Sequence, residues 1–277
     1  MTPEPEDPLD ALPDFGPPPE AVAQVEAEQH TARPLIWAGF FLSLVVFTKV
    51  PNVDLWVSMR YWNAQQGFFN AQNPVVLALY RYTPGTGYAL VAAALLYLIA
   101  LPWLKRLAHG QGHEALAQKM SGLWRRTALG GLMVAALSSG MIVELGLKDH
   151  VGRPRPVQTD VFGGDMPFHP IFQTGATPDK HRSFSSGHAA TGFSLMALGL
   201  FASPVWRRRW FMIGLTTGAI VGLGRIMQGG HYLSDVVFSF YAVWLSCELV
   251  AYGFRRHDLS KLPPWHPARI GPRRAIR

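Results

Sequence analysis

Residues 224–254 read GRIMQGGHYLSDVVFSFYAVWLSCELVAYGF. From Tyr232 to Phe254 this run is apolar, and Asp235 and Glu248 are its only charged residues. About 20 apolar residues suffice for a helix to cross about 30 Å of hydrocarbon. The stretch therefore predicts a membrane-spanning helix that carries polar residues at its first turn.

Similar apolar runs recur along the chain. Six candidate spans are Leu35–Val50, Thr86–Leu104, Thr127–Leu147, Gly187–Val205, Trp210–Gly224 and Tyr232–Phe254. They predict an all-α fold, a bundle of six transmembrane helices. The alternative is a large soluble protein whose core helices are buried, but the charges cluster between the runs.

The composition points the same way. Of 277 residues, 49% are hydrophobic and 16% charged, whereas a soluble domain carries about 25% charged residues. The single cysteine, Cys247, excludes a disulfide framework and a cysteine-based zinc site. A net charge of +7 and a pI near 9.8 fit either nucleic acid or an anionic membrane surface.

The charge is unevenly distributed. Residues 1–34 hold eight acids, one base and eight prolines, and are interpreted as a disordered acidic tail. Residues 255–277 hold seven bases and one acid, and are interpreted as a basic cytoplasmic tail. The six-helix domain is expected between them, over residues 35–254.

Lysine and arginine placement predicts the orientation. With both termini in the cytoplasm, 16 bases lie inside and nine outside, as the positive-inside rule favours. The outer loops then lie on the side of the membrane away from the cytoplasm.

Three short motifs share that outer face. They are KDHVGRPRP at 148–156, SFSSGH at 183–188 and GRIMQGGHYLSD at 224–235. Each lies beside one of the predicted spans. The topology therefore brings their polar side chains to one side of the membrane.

These residues suit the binding of a phosphate. Arginine offers a planar fork that matches phosphate oxygens, and lysine a point charge, which suits Lys148, Arg155 and Arg225. Ser186 and Gly187 stand at a predicted helix N-terminus, where backbone amides favour anions.

Two histidines add acid–base and nucleophilic chemistry. His231 and Asp235 are four residues apart on one helix face, so the carboxylate can orient the imidazole and stabilise its cation. His188 supplies a second imidazole for proton transfer. The set predicts phosphoryl transfer without a metal or another cofactor.

The motifs resemble those of the type 2 phosphatidic acid phosphatase / vanadium haloperoxidase superfamily. Lys148 precedes Arg155–Pro156 by the family's six-residue gap, Ser186–Gly187–His188 follows, and then Arg225, His231 and Asp235 stand at the family's spacing. Ser185 replaces the usual proline and Gly224 the usual serine, which affects the expected loop geometry.

The resemblance implies a role for each matched position. His231 would attack phosphorus and form a phosphohistidine, Asp235 would polarise it, and His188 would protonate the leaving group and then activate water. The remaining matched positions would hold the phosphate oxygens: Lys148, Arg155, Arg225 and the amides of Ser186 and Gly187.

Other polar residues carry weaker expectations. Arg153 is interpreted as a surface or phosphate-steering charge, and Glu144 as a partner of Lys148 one helical turn away. No role is assigned to Glu248. The outer histidines without a role are His150, His169 and His181.

Two outer segments suggest a lipid substrate. Val157–Phe184 is long enough to form a lid over the site, and the aromatic-rich segment Asp54–Pro84 is interpreted as an interfacial element. The resemblance extends to bacterial lipid phosphatases, among them lipid A phosphatases, and implies a bacterial inner membrane with the site on the periplasmic side. The expected partner is a phosphorylated membrane lipid rather than nucleic acid.

Several alternatives stay open. For the lipid, the alternatives are the lipid A phosphate, undecaprenyl diphosphate and phosphatidylglycerophosphate types. The chain could also be a lipid-to-lipid phosphotransferase, a vanadate-dependent haloperoxidase or a non-catalytic membrane protein. The sequence does not define the oligomeric state.

Overall fold

A computed structural model describes residues 19–139, 153–171 and 183–261 of the chain. The described part is mostly helical. The α-helices are α1 (Pro19–Lys49), α2 (Asn52–Met59), α3 (Pro74–Gly110), α4 (Glu114–Lys119), α5 (Arg125–Ala135), α6 (Gly187–Phe193), α7 (Pro204–Met227) and α8 (Leu233–Ser260). A small antiparallel hairpin pairs β1 (Trp62–Asn63) with β2 (Gly67–Phe68), and a π-helical turn, Met120–Trp124, joins α4 to α5.

Helices α1 and α2 meet at a sharp bend of 88°. Pro51 lies at the bend, where it cannot donate the backbone hydrogen bond that would continue α1. Aromatic side chains of α1 pack against those of α8. The ring centroids of Trp37 and Trp244 are 5.2 Å apart, and those of Phe40 and Tyr241 are 5.1 Å apart. The bend turns α2 back across the bundle end, which brings Asp54 into the interior.

Helix α3 is the longest element, and at 1.5 Å per residue its 37 residues extend over about 55 Å. Asn73 caps it by accepting from the amides of Val75 and Val76, at 2.9 and 3.4 Å, and Pro74 occupies the first helical position. The helix begins at Pro74, inside the segment that the sequence suggested as an interfacial element. Most of its apolar side chains are exposed, as expected for a helix surrounded by lipid.

The core lies where α6, α7 and α8 meet. Its buried residues include Ala189, Phe193, Ile226, Val236 and Val243. Glycines allow α6 and α7 to approach closely, because a Cβ at Gly192 would lie 2.7 Å from the Cα of Gly218.

The predicted span Gly187–Val205 is not one continuous α-helix. Helix α6 ends at Phe193, a 3₁₀ helix follows from Ser194 to Gly199, and α7 begins at Pro204. The 3₁₀ helix packs closely against α7, since a Cβ at Gly199 would lie 2.8 Å from the Cβ of Trp210. We attribute the change from α-helix to the tighter 3₁₀ helix to this packing.

Three described helices are long and apolar enough to cross a membrane: Pro74–Gly110, Pro204–Met227 and Leu233–Asp258. The bent pair Arg33–Lys49 and Asn52–Met59 counts as a fourth if it forms one span. The described ranges thus support a helical membrane protein and fall short of the predicted six spans. Part of the predicted span Thr127–Leu147 lies outside them.

Both predicted tails overlap with helices. Helix α1 begins at Pro19, and α8 continues past Phe254 to Ser260. Glu248, to which the sequence assigned no role, pairs with Arg33 of α1 at 3.1 Å. The remainder of each tail, residues 1–18 and 262–277, lies outside the described ranges.

Candidate active site

His231 follows α7 at a tight turn made by two glycines. Gly229 has φ +65°, and a Cβ there would lie 2.4 Å from the ring of Phe68. A Cβ at Gly230 would lie 2.3 Å from the guanidinium of Arg225. Glycine at both positions therefore lets the chain fold back over Arg225 and place His231 beside it.

The hydrogen bonds of His231 define which ring nitrogen is available. Its Nδ1 lies 2.7 Å from the carbonyl oxygen of Ser183 and 3.4 Å from Oδ2 of Asp235. A carbonyl can only accept, so Nδ1 carries the proton and Nε2 keeps its lone pair. Burial lowers the pKa of His231, and the charges of Arg225 and Arg155 lower it further while Asp235 opposes them. The imidazole is therefore neutral near neutral pH, with Nε2 as a potential nucleophile.

The hydrogen bonds of Asp235 to other groups are shorter than its 3.4 Å contact with Nδ1 of His231. Its Oδ2 accepts from the hydroxyl of Ser183 at 2.5 Å and from the amide of Tyr232 at 2.8 Å. The Ser183 residue thus holds His231 through its carbonyl and Asp235 through its hydroxyl. The orientation of His231 by Asp235 stays a prediction, and Ser183 is a second group that contacts both residues.

A buried cluster lies behind Asp235. Arg153 donates to Oδ1 of Asp235 at 3.0 Å, to the hydroxyl of Ser234 at 2.8 Å and to Oδ2 of Asp54 at 2.7 Å. Its Nε donates to the carbonyl of His169 at 2.8 Å. The expectation that Arg153 is a surface or phosphate-steering charge is wrong, because its side chain has 0% exposure and contacts two buried carboxylates.

The middle motif joins the other two. The amide of Ser183 donates to the carbonyl of Arg153 at 2.9 Å. The amide of Ser186 donates to the carbonyl of Asp235 at 3.3 Å, and the Ser186 hydroxyl caps α6 by accepting from Ala189. In this structure the Ser186 amide is therefore engaged within the protein, contrary to its expected role as a phosphate ligand, whereas Gly187 lines the open cavity described below.

Two cations stand on the open side of His231. Arg225 is largely buried, and its guanidinium lies 4.6 Å from the ring centroid of Tyr80 and donates to the side chain of Gln228. Tyr80 also stacks on His188, with centroids 5.0 Å apart and planes 17° from parallel. Within the described ranges, neither Arg155 nor Arg225 pairs with a carboxylate. Two cations without a carboxylate partner among the described residues, beside a neutral histidine, suit a phosphate.

The open side leads into a cavity of about 1,500 Å³. At one end lie five residues that the motifs predicted for the site: Arg155, Gly187, His188, Arg225 and His231. From there the cavity runs along mostly apolar residues, including Leu90 of α3, Gly131 of α5 and Leu198 of the 3₁₀ helix, to Trp206 and Trp210 of α7. The structure thus joins the polar site to an extended apolar space.

Comparison with known proteins identifies the family. The sequence profile described as PAP2 superfamily matches residues 128–258. A lipid A 4'-phosphatase of Rhizobium leguminosarum is 32% identical over 234 residues, which cover 78% of this chain and 91% of that protein. The chain belongs to the PAP2 superfamily.

Two further relatives carry the same name. A lipid A 4'-phosphatase of Rhizobium etli is 28% identical over 221 residues, covering 78% of this chain and 82% of that protein. A lipid A 4'-phosphatase of Francisella tularensis subsp. novicida is 40% identical over 115 residues, and the match spans 41% of this chain and about half, 52%, of that relative. No solved structure matches the chain significantly.

Lys148, the first residue of the first motif, lies outside the described ranges, and so does Glu144, its expected partner. The predicted roles of these two residues remain predictions. His150 and His181, to which no role was assigned, also lie outside those ranges. The Ser185 hydroxyl, where the family usually has proline, is buried and has no hydrogen-bond partner among the described residues.

Two residues that complete this PAP2 site lie outside the three sequence motifs. Tyr80 lies in a segment interpreted as interfacial, and its aromatic character alone did not distinguish it from its neighbours. Asp54 did carry a signal, because it is the only acidic residue between Glu28 and Glu114. A lone acid in an apolar stretch of a membrane protein indicates a functional position.

Proposed function

We propose that the protein is an integral membrane phosphatase that removes a phosphate from a lipid phosphate or diphosphate through a phosphohistidine at His231. One observation carries the proposal. The Nδ1 atom of His231 is held by the Ser183 carbonyl, while the ring borders a cavity that it shares with Arg155 and Arg225. A fixed, neutral imidazole beside two cations is the arrangement that nucleophilic phosphoryl transfer requires.

In the first step, Nε2 of His231 attacks phosphorus and the bond from phosphorus to the leaving oxygen breaks. His188 borders the same cavity and donates a proton to that oxygen, which leaves as an alcohol. Arg155 and Arg225, together with Lys148 and the amide of Gly187, balance the charge that develops on the other phosphate oxygens.

In the second step, water attacks the phosphohistidine. His188, now deprotonated, takes a proton from the water, and the phosphorus–Nε2 bond breaks. Inorganic phosphate leaves and both histidines return to their starting states. The balance is one lipid phosphate and one water consumed, with one lipid alcohol and one phosphate released.

The apolar cavity supports a lipid as substrate. It begins at the charged residues and continues along α3, α5 and α7, so a phosphate and a hydrocarbon chain can be bound at once. The names of the relatives favour a lipid A phosphate. Undecaprenyl diphosphate and phosphatidylglycerophosphate present the same phosphate chemistry and are the substrates against which lipid A should be compared.

Charge placement supports a location for this reaction. The excess of lysine and arginine on the side of the two termini favours a bacterial inner membrane protein with both termini in the cytoplasm. The three motifs then face the periplasm. A lipid phosphate in the outer leaflet can reach them by lateral diffusion.

The decisive experiment assays the purified full chain in mixed micelles with a metal chelator and a panel of lipid phosphates. We expect release of inorganic phosphate, fastest from one lipid class. In the wild type, denatured rapidly during turnover, we expect an acid-labile phosphate on the peptide that contains His231. Loss of activity on chelation would contradict the histidine mechanism, as would a phosphate on any other residue.

Addition of a lipid alcohol to the same assay separates hydrolysis from transfer. If water is the acceptor, the released inorganic phosphate equals the dephosphorylated lipid. A newly phosphorylated alcohol would show that the protein is a phosphotransferase rather than a hydrolase. The first step, formation of the phosphohistidine, would be the same.

A further inference from the structure

The buried cluster behind His231 contains more charge than the pairing of His231 with Asp235 requires. Asp54 and Asp235 are two carboxylates with 1% and 0% exposure, and the guanidinium of Arg153 lies between them. Ser234 completes the cluster: its amide donates to Oδ1 of Asp54 at 2.8 Å and its hydroxyl to Oδ2 at 2.6 Å. The groups around Asp54 are thus donors, as an ionised carboxylate needs.

Stability alone is a weak reason for such a cluster. Moving charges out of water is costly, and a buried ion pair contributes little net stability compared with apolar residues of the same volume. The three charged members come from α2, the first motif and α8, up to 181 positions apart in the chain. Their convergence directly behind the nucleophile points to a role in the reaction.

The cluster has a defined charge. With both carboxylates ionised, as the donors around them favour, two carboxylates and one guanidinium leave one net negative charge. Asp235 is the member that lies next to Nδ1 of His231. During transfer, His231 changes from a neutral ring to a phosphorylated ring that keeps its Nδ1 proton and is cationic. One net negative charge matches this one developing positive charge.

We propose that Asp54 and Arg153 are positioning residues, which fix Asp235 and set the negative charge that it presents to His231 during phosphoryl transfer. The inference rests on the proposed function. The positive charge of Arg153 partly compensates the negative charge of Asp235. Asp54 in turn partly compensates the positive charge of Arg153. Without Asp54, Arg153 would neutralise Asp235 completely.

Other groups around His231 also affect the protonation of its imidazole and must be kept unchanged in the experiment. On the open side these are Arg155 of the first motif, Arg225 of α7, His188 of α6 and Tyr80 of α3, with Tyr232 following His231 in the chain. None of them is altered in the variants below.

The first variant is Asp54→Asn, which keeps the shape and removes one negative charge. The net charge of the cluster becomes zero, so the imidazolium is less stabilised and the pKa of His231 falls. We expect the acid limb of the kcat/KM profile to move to lower pH. We also expect kcat to fall by up to about 10²-fold with little change in KM, because the cationic intermediate and the alignment of His231 are affected rather than substrate binding.

The second variant is Arg153→Gln, which leaves two carboxylates without their cation. The cluster then becomes more negative, and the acid limb should move to higher pH, opposite to Asp54→Asn. Removal of one partner of a buried pair is strongly destabilising, so the double variant Asp54→Asn/Arg153→Gln is used where Arg153→Gln alone does not fold. The double variant Asp54→Asn/Arg153→Gln restores one net negative charge and should return the acid limb to its wild-type position.

The matched control is Asp258→Asn, which breaks an ion pair between Asp258 of α8 and Arg126 of α5, away from the site. Its pH profile should be that of the wild type. The proposal is overturned if folded Asp54→Asn keeps the wild-type acid limb, or if the Asp54 and Arg153 variants shift it in the same direction.

A second measurement separates this proposal from the proposed function. The titration of His231 can be followed directly by NMR of ¹⁵N-labelled histidine in each detergent-solubilised variant. If the wild type hydrolyses no lipid phosphate, the proposed function fails, but a lower pKa of His231 in Asp54→Asn would still establish the charge coupling. If hydrolysis is observed and that pKa does not change, only the present proposal fails.

Discussion

The two ring nitrogens of His231 face two different regions of the molecule. On the Nδ1 side, Ser183, Asp235, Arg153 and Asp54 form a closed network of buried hydrogen bonds. The other side of the ring borders a large cavity. There the cations have no carboxylate partners among the described residues, and most of the lining is apolar.

The difference separates two tasks. The closed region fixes the tautomer and charge of the nucleophile, which any phosphate ester requires regardless of the rest of the substrate. The open region holds the phosphate and whatever is attached to it, so it determines which lipid reacts. Substitutions on the closed side should therefore change kcat for all substrates, and substitutions far along the open side should change KM for some.

The largest effect is expected from His231→Ala, which removes the atom where the two regions meet. Loss of a nucleophile lowers kcat by several orders of magnitude, about 10⁶-fold in a well-studied hydrolase. We expect phosphate release to fall to background for every lipid, while the protein still elutes as a folded species from size-exclusion chromatography. The measurement is phosphate release in mixed micelles.

His169→Ala is the matched control for this substitution. His169 lies in the same outer region but contacts the cluster through its backbone carbonyl, which the substitution preserves. It should retain most of the activity. Residual turnover by His231→Ala above background would show that the nucleophile is another group.

The sequence was informative about the residues near His231 because their spacing is local. Six residues separate the start of the third motif from His231, and a helical turn links His231 to Asp235, so the motifs alone placed these groups together. Arg155, Gly187 and His188 also reach the same cavity. What joined the three motifs was the predicted membrane topology, which requires only that each lie at the same end of its helix.

The closed region was much harder to predict. Asp54 and Ser234 are hydrogen-bonded across 180 positions, and the 88° bend between α1 and α2 lies between Asp54 and the start of the chain. Arg153 lies between Gly152 and Pro154 in a loop motif, a context typical of a surface residue, and its burial depends on partners from three other segments. Helix ends were also uncertain, because α3 and α8 extend as helices beyond their apolar cores.

An intermediate effect is expected when the open region is narrowed. Gly131 of α5 lines the cavity, and a Cβ there would have no atom within 4 Å. Gly131→Phe should therefore fill space that a hydrocarbon chain would occupy. Displacing about two methylene groups, at about 0.8 kcal/mol each, raises KM about tenfold. We expect this for long-chain lipid phosphates and little change for short-chain ones.

Gly85→Phe provides the comparison. Gly85 is a glycine of α3 that likewise has no atom within 4 Å of an added Cβ, but it is not among the residues that line the cavity. Its KM should stay at the wild-type value for both chain lengths. An equal rise in KM for Gly131→Phe with short and long chains would show that the cavity does not hold the chain.

The smallest effect concerns stability, and it tests the closed region alone. Burial lowers the pKa of His231 in the folded state below its ordinary value of 6.5. Below about pH 6.5, His231 is protonated in the unfolded chain but still neutral in the folded protein. The free energy of unfolding therefore decreases as the pH falls toward the folded-state pKa of His231. Above that range both states are neutral and the cost disappears.

In His231→Gln the titrating group is absent, while a side-chain amide can still donate to the Ser183 carbonyl. The melting temperature of the wild type, compared with that of His231→Gln, should therefore decline between about pH 7.5 and pH 5. A constant difference over this range would mean that Nδ1 and the cluster behind it stabilise the cationic ring as well as solvent does. In that case the closed region would not keep His231 neutral in the resting protein, and the division of tasks between the two sides of the ring would need a different physical basis.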